Sequence, residues 1–190
     1  MRNAARLLAG IALLAGCAPE PTVTTTTSIE GAAPQAAASQ AGLGASVNRD
    51  LAALRAATAQ FHNFDKAVAA GWSAKITSCM ELAGTGGMGF HYGNVGLIDG
   101  SVQVDQPELL LYEPEKNGRL RLVAVEYIIP YTLHSRDAAP PVLFGQEFKQ
   151  NDTFQLWGLH AWVWKENPSG MFADWNPRVN CSNTTDVMAM

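Results

Sequence analysis

Cations are sparse in this 190-residue chain, which carries 13 lysines and arginines against 17 acidic residues, for a formal net charge of -4. They stand singly along the sequence, and no basic cluster of the kind that neutralises phosphates is present, so a nucleic-acid partner is not expected. Cysteine is nearly absent, at three residues, and no Cys-x-x-Cys pair occurs among them. A nucleophile elbow, a zincin helix motif and a phosphate loop are all missing, which removes the familiar hydrolase and nucleotide-binding signatures. No internal repeat is visible, so a solenoid is not expected either.

What is present begins with an export tag. In "MRNAARLLAGIALLAGC", Arg2 and Arg6 precede an apolar run over residues 7–15 that is too short to be a permanent membrane span, and residues 1–16 are expected to be a signal peptide. "LLAGC" resembles the bacterial lipobox. That resemblance implies that Cys17 is lipidated and attaches the chain to a membrane. Ala18 follows it where an aspartate would imply inner-membrane retention, so the implied address is the cell envelope, on the outer membrane facing the periplasm in a Gram-negative cell. In a Gram-positive cell it would be the outer face of the single membrane. Removing residues 1–16 takes away Arg2 and Arg6 and moves the formal charge from -4 to -6. Residues 17–46 comprise the lipidated cysteine and a flexible tether of Ala, Thr, Pro, Ser and Gly, which offers too little apolar surface to offset its ordering entropy.

Residues 47–190 are expected to form a single globular α+β domain. Val47, Leu51, Leu54, Thr58, Phe61, Phe64 and Val68 recur at steps of three or four, one helical stripe with Ser46 as N-cap and Gly71 just past its end. Asn63 is placed to re-cap and bend that helix. Downstream, Asn117-Gly118 divides two apolar runs and signals a hairpin. With those two residues as the turn, Leu109, Leu111, Leu122, Ala124 and Glu126 share one face, and Leu110, Tyr112, Val123, Val125 and Tyr127 the other. Further strands are expected at "MGFHYGN", "VLFGQEF" and "FQLWGLHAWVW". In the last, Phe154, Leu156, His160, Trp162 and Trp164 share one parity, while Trp157, Leu159 and Val163 share the other. The expected architecture is an N-terminal helix packed on a curved antiparallel sheet. Export into an oxidising compartment makes a Cys79 to Cys181 disulfide the expectation.

His91, Glu126 and His160 each fall on an expected strand in apolar surroundings, where an unpaired carboxylate or imidazole is costly. Two imidazoles and a carboxylate suit zinc, copper or iron with an open position, or a small polar ligand. The structural alternative is Glu126 held by Arg119, Arg121, a tyrosine hydroxyl or backbone amides, with the histidines bonded to carbonyls. A second reading uses Trp162, Trp164 and Trp175 as the lining of a carbohydrate or hydrophobic-ligand cleft; a third is a structural envelope protein that binds a protein partner. His62 and His134 read as surface or capping residues. Met88 and Met171 are either soft copper ligands or core fillers. "GTGGMG" fits Gly-x-Gly-x-x-Gly at Gly84, Gly86 and Gly89, but it neither follows an evident strand nor opens a helix, so it reads as a tight turn into the strand that carries His91. With no activated nucleophile in view, the balance leans away from an enzyme.

"GGMGFHYGN", "PELLLYEP", "LRLVAVEYIIP" and "LWGLHAWVWKENPSGMFADWNPRVNC" resemble a family of secreted bacterial proteins and lipoproteins with no established activity. The resemblance spans roughly residues 58–181. It implies one extracytoplasmic domain and transfers no catalytic residue.

Overall fold

The apolar stripe from Val47 folds into three helical pieces rather than one helix: α1 (Ala45–Thr58), a 3-10 turn (Ala59–His62) and α2 (Phe64–Ala69). This computed structural model describes residues 43–189, so the expected signal peptide, Cys17 and nearly all of the expected tether lie outside the described residues. Gly44, not Ser46, occupies the N-cap position of α1, and no side chain caps it. The break comes where Thr58, fully buried, turns its hydroxyl back to the Leu54 carbonyl at 2.7 Å. Asn63 then adopts an extended conformation and accepts the Lys66 backbone N–H with its side chain at 3.3 Å, starting α2 in a new direction. That change of direction leaves Val68 39 % exposed, so the stripe ends short of it.

Among the described residues nine strands follow in chain order: β1 (Ala74–Leu82), β2 (Gly86–Gly93), β3 (Leu109–Pro114), β4 (Leu120–Pro130), β5 (Val142–Leu143), β6 (Gln146–Glu147), β7 (Lys149–Asn151), β8 (Leu156–Ala161) and β9 (Val187–Ala189). Seven of them form one curled sheet in the order β7-β8-β4-β3-β2-β1-β9, antiparallel at every pairing except β1 with β9. Register shifts within β1 and at the β3–β4 pairing help curl it. The stretch "VLFGQEF", expected as a single strand, is instead the tight β5–β6 hairpin. Phe144 and Gly145 turn it with φ of 54° and 68°, the two positive values a two-residue turn of this hand requires.

The helical pieces cover one face of the sheet. Leu51, Leu54 and Phe61 pack there against Leu110, Tyr112, Leu122, Val125, Tyr127 and Leu159. Burying each of these side chains is worth about 1.5–3 kcal/mol, which makes this layer the main source of stability. Polar tips are satisfied across the layer: the Tyr112 hydroxyl donates to the Phe61 carbonyl at 2.8 Å and the Trp72 indole N–H to Pro107 at 3.0 Å. The result is an α+β fold with a helix on a curled, mostly antiparallel sheet.

The β3–β4 hairpin corrects one expectation. Its turn is three residues long, with Glu115 N–H donating to Arg119 at 2.8 Å and Gly118 in the left-handed region at φ 77°. Positions near the tip therefore pair Pro114 with Leu120 and Tyr112 with Leu122, one residue off the two-residue expectation. A bulge at Val123 then restores Leu111 opposite Ala124 and Leu109 opposite Glu126. Leu122 and Val123 consequently exchange faces: Leu122 joins the helix side and Val123 the other.

Cys79 and Cys181 form the expected disulfide, across a sequence separation of 102. A closed loop of that size contributes about 4–5 kcal/mol in the chain-entropy account. It ties the end of the chain back to β1 beside Phe90, where Glu81 also accepts the Cys181 N–H at 2.9 Å, while Trp175 and Val179 of the same segment pack on the second face of the sheet.

Candidate metal centre

That second face is where the polar residues gather. Thr77 pairs with His91, His91 with Leu111, Leu109 with Glu126, and Glu126 with His160. Residues paired across a ladder project to the same side, as do residues two apart along a strand. Thr77, His91, Glu126 and His160 therefore share the face opposite the helices, carried on β1, β2, β4 and β8. His91, Glu126 and His160 are buried, at 3 %, 7 % and 6 % exposure.

One ligand atom from each of the three lies within 4.8 Å of the others. His91 Nε2 is 3.5 Å from Glu126 Oε2, and His160 Nε2 is 3.8 Å from Glu126 Oε1. These separations exceed hydrogen-bond length. They are close to the spacing of about 3.3 Å between two ligands on one tetrahedral ion with bonds near 2.05 Å. A bond at its outer nitrogen explains why His91 Nε2 faces inward. His91 Nδ1 is held by the Thr77 hydroxyl at 2.8 Å, and His160 Nδ1 lies 3.8 Å from Asp174, itself paired with Lys149 at 2.8 Å. The Thr77 bond is of the kind that fixes the tautomer and orientation of a ligating imidazole, whereas Asp174 lies beyond hydrogen-bond length of His160. His160 Nε2 is left buried with no hydrogen-bond partner.

Burial sets the protonation of the set. It pushes His91 down to about 3, with the nearby His160 adding to the effect and the Gly89 carbonyl opposing it. Burial, helped by Lys149, likewise takes His160 to about 3. Glu126 is pushed up to about 8, by burial first and then by Asp174 and Glu108. The Glu126 contacts with the histidines are thus between neutral groups at neutral pH, not ion pairs, and both imidazoles are in the form that binds metals. A cation placed among them would reverse the preference of Glu126.

Two glycines make room for the set. Gly89 has φ 86°, and a Cβ there would meet the Tyr112 carbonyl oxygen at 2.4 Å, so only glycine lets β2 run so close to β3 just before His91. Gly158 sits beside the carboxyl, where a Cβ would lie 2.9 Å from Glu126 Oε1. Of the "GTGGMG" glycines, Gly84 lies in the β1–β2 turn, and Gly86 and Gly89 fall within β2, with no helix following.

The structural alternatives for Glu126 are not met among the described residues. Arg119 and Arg121 are exposed near the hairpin tip, and the Tyr112, Tyr127 and Tyr131 hydroxyls bond to Phe61, Val104 and Asp152. The three tryptophans do not share a cleft. Trp175 lines the cavity over the three residues. Trp162 is buried, stacks on the His160 ring at 6.3 Å and 11°, and donates its indole N–H to Ala173 at 2.6 Å. Trp164 lies on the helix side, donating to the Thr58 hydroxyl at 3.1 Å and edging His62. The cause is the end of β8 at Ala161, after which strand alternation no longer applies. His62 is exposed, and half-buried His134 bonds the Ala139 carbonyl at 2.8 Å. Met88 lines the cavity; Met171 does not, and its carbonyl accepts the Trp162 backbone N–H.

Thr77 and Asp174 were not foreseen as site residues, nor was Glu108. Glu108 is 1 % exposed, is raised by burial to about 8, and accepts the Ile128 backbone N–H at 3.1 Å. It satisfies an amide on β4 beyond the start of β3, where the Pro107 carbonyl is taken by the Trp72 indole. Comparison of the chain with known protein families, with curated proteins and with solved structures found no match.

Proposed function

We propose that this protein is a metal-binding domain of the cell envelope, holding a zinc or copper ion between His91, Glu126 and His160. The observation that carries the reading is His160 Nε2, buried without a partner and aimed at a carboxyl that faces a second imidazole. Leaving a buried nitrogen unsatisfied costs about 1–3 kcal/mol, and a cation at that point removes that cost while also taking the inward-facing atoms of His91 and Glu126. Two histidines and one glutamate are a donor set that leaves a zinc coordination position open. The test is native mass spectrometry with elemental analysis of the chain recovered from the periplasm. One metal ion per chain is expected, lost in His160→Ala and in Glu126→Gln with the disulfide and near-ultraviolet circular dichroism retained. Wild-type chain that takes up neither zinc nor copper would overturn the reading, and a retained organic mass without metal would reassign the pocket to a small polar ligand.

The address belongs to the same proposal and is supported by Arg2, Arg6 and "LLAGC". No helix among the described residues is long and apolar enough to cross a membrane, and the attachment proposed is a lipid on Cys17. Labelled palmitate is expected to enter the wild-type chain and not Cys17→Ser, and the variant is expected to leave the membrane fraction. A Cys17→Ser chain that stays lipidated would refute this part alone.

A further inference from the structure

The three ligand atoms form the floor of a cavity of about 180 Å3 whose walls are of another character. Met80, Met88, Leu109, Ile128, Phe154 and Leu156 line it above the floor. Polar groups return along one side at Gln150 and Asn151 and at Lys149 and Asp174, the last two bound to each other. An ion held by three protein groups therefore presents its open position to an apolar chamber. The charge is also incomplete: two neutral imidazoles and one carboxylate around a divalent ion leave one positive charge uncompensated, because Asp174 is already neutralised by Lys149. A buried charge without a partner is costly, so the chamber favours an occupant that brings an anion.

Resting on the metal reading above, we infer that the cavity receives a small organic monoanion with an apolar body, a medium-chain or aromatic carboxylate. Its carboxylate takes the open metal position, and its body lies among Met88, Leu109, Phe154 and Leu156. Size supports this class: a chamber of about 150 Å3 admits a benzene-sized molecule, so the volume here suits benzoate or a six-carbon acid. A sugar of the same size could reach Gln150 and Asn151 on one side only and would set its other hydroxyls against methionine and leucine side chains.

The test uses the full chain and separates the two readings. Zinc is titrated first by calorimetry, and benzoate, hexanoate and acetate are then titrated into the zinc-loaded and metal-free forms. Benzoate and hexanoate are expected to bind the loaded chain at least tenfold more tightly than acetate does, and at least tenfold more tightly than they bind the metal-free chain. Leu156→Trp, which fills the chamber from a half-buried position, should keep zinc and lose benzoate. Phe154→Ala enlarges the chamber and should shift preference from hexanoate to octanoate. Zinc uptake with equal affinity for benzoate and acetate, or benzoate binding that ignores the metal, overturns this inference and leaves the metal reading standing. Absence of both zinc and copper uptake overturns both.

Discussion

The two faces of one sheet are built to opposite rules. On the helix side, Leu51, Leu54, Leu110, Tyr112 and Tyr127 are fully buried, and their polar tips and neighbours find backbone partners. On the other side, the same strands bury two imidazoles and a carboxyl at distances that bond none of them to each other. The first face maximises apolar contact; the second accepts desolvation of polar groups that a ligand would repay. Stability and binding should therefore be separable by face.

The strongest attempt to break that separation is Leu54→Ala. Loss of a fully buried leucine should lower unfolding stability by about 2–5 kcal/mol, measured by urea denaturation, while zinc affinity stays within about twofold. A tenfold loss of affinity would show that the faces are mechanically coupled.

Next in size is the pH dependence of the metal-free chain. His91 and His160 fall from 6.5 to about 3 in the fold, whereas Glu108 and Glu126 rise from 4.5 to about 8. Below pH 6.5 the unfolded chain takes up protons that the folded histidines refuse, so stability falls towards acid. Above pH 4.5 the unfolded chain releases protons that the folded carboxyls keep, so stability falls towards alkali. The two effects balance near pH 5.5, where these four groups should give maximum stability, with a loss of about 2–3 kcal/mol by pH 8. Denaturation in the presence of a chelator checks this; Glu126→Gln should remove most of that net alkaline loss, because one remaining raised carboxyl is offset by the two histidines, and stability that climbs from pH 5.5 to 8 would contradict it.

The smallest expected effect sharpens the second face. Thr77→Val removes the hydroxyl that holds His91 Nδ1 and should weaken zinc binding about tenfold with little change in unfolding. Thr77→Ser should restore it. Equal zinc affinity in all three chains would take Thr77 out of the site.

Much of the site was legible because strand parity is a local property. Glu126 shares its face with Leu109 and Leu111 on the strand beside it, and His160 lies directly opposite Glu126 in the ladder. Parity failed where a strand ended or slipped: Trp164 lies beyond β8, and Leu122 lies on the tip side of the bulge. Asn63 announced the bend in the helix through its capping chemistry, but Val68 beyond it could not be placed without the new helix direction. Thr77 carried a weak signal, an Ile-Thr pair in a run ending at a glycine turn. Asp174 carried none, since it comes from a loop brought over the sheet by the disulfide-linked segment and by the bridge of Gly87 to Asn176.

The bulge at Val123 has a meaning for how the chain tolerates change in length. Two irregularities of opposite sign lie in series along the β3–β4 hairpin: the three-residue turn displaces the pairing by one residue, and the bulge returns it. Glu126 lies beyond both. The tip is thus geared separately from the part of the hairpin that aims the carboxyl, much as a slip joint isolates one end of a shaft from the other. Insertions and deletions, which accumulate at exposed tips such as Lys116 to Gly118, can be absorbed at Val123 by gaining or losing the bulge. Descendants of this chain can vary the hairpin end without turning Glu126 away from the histidines.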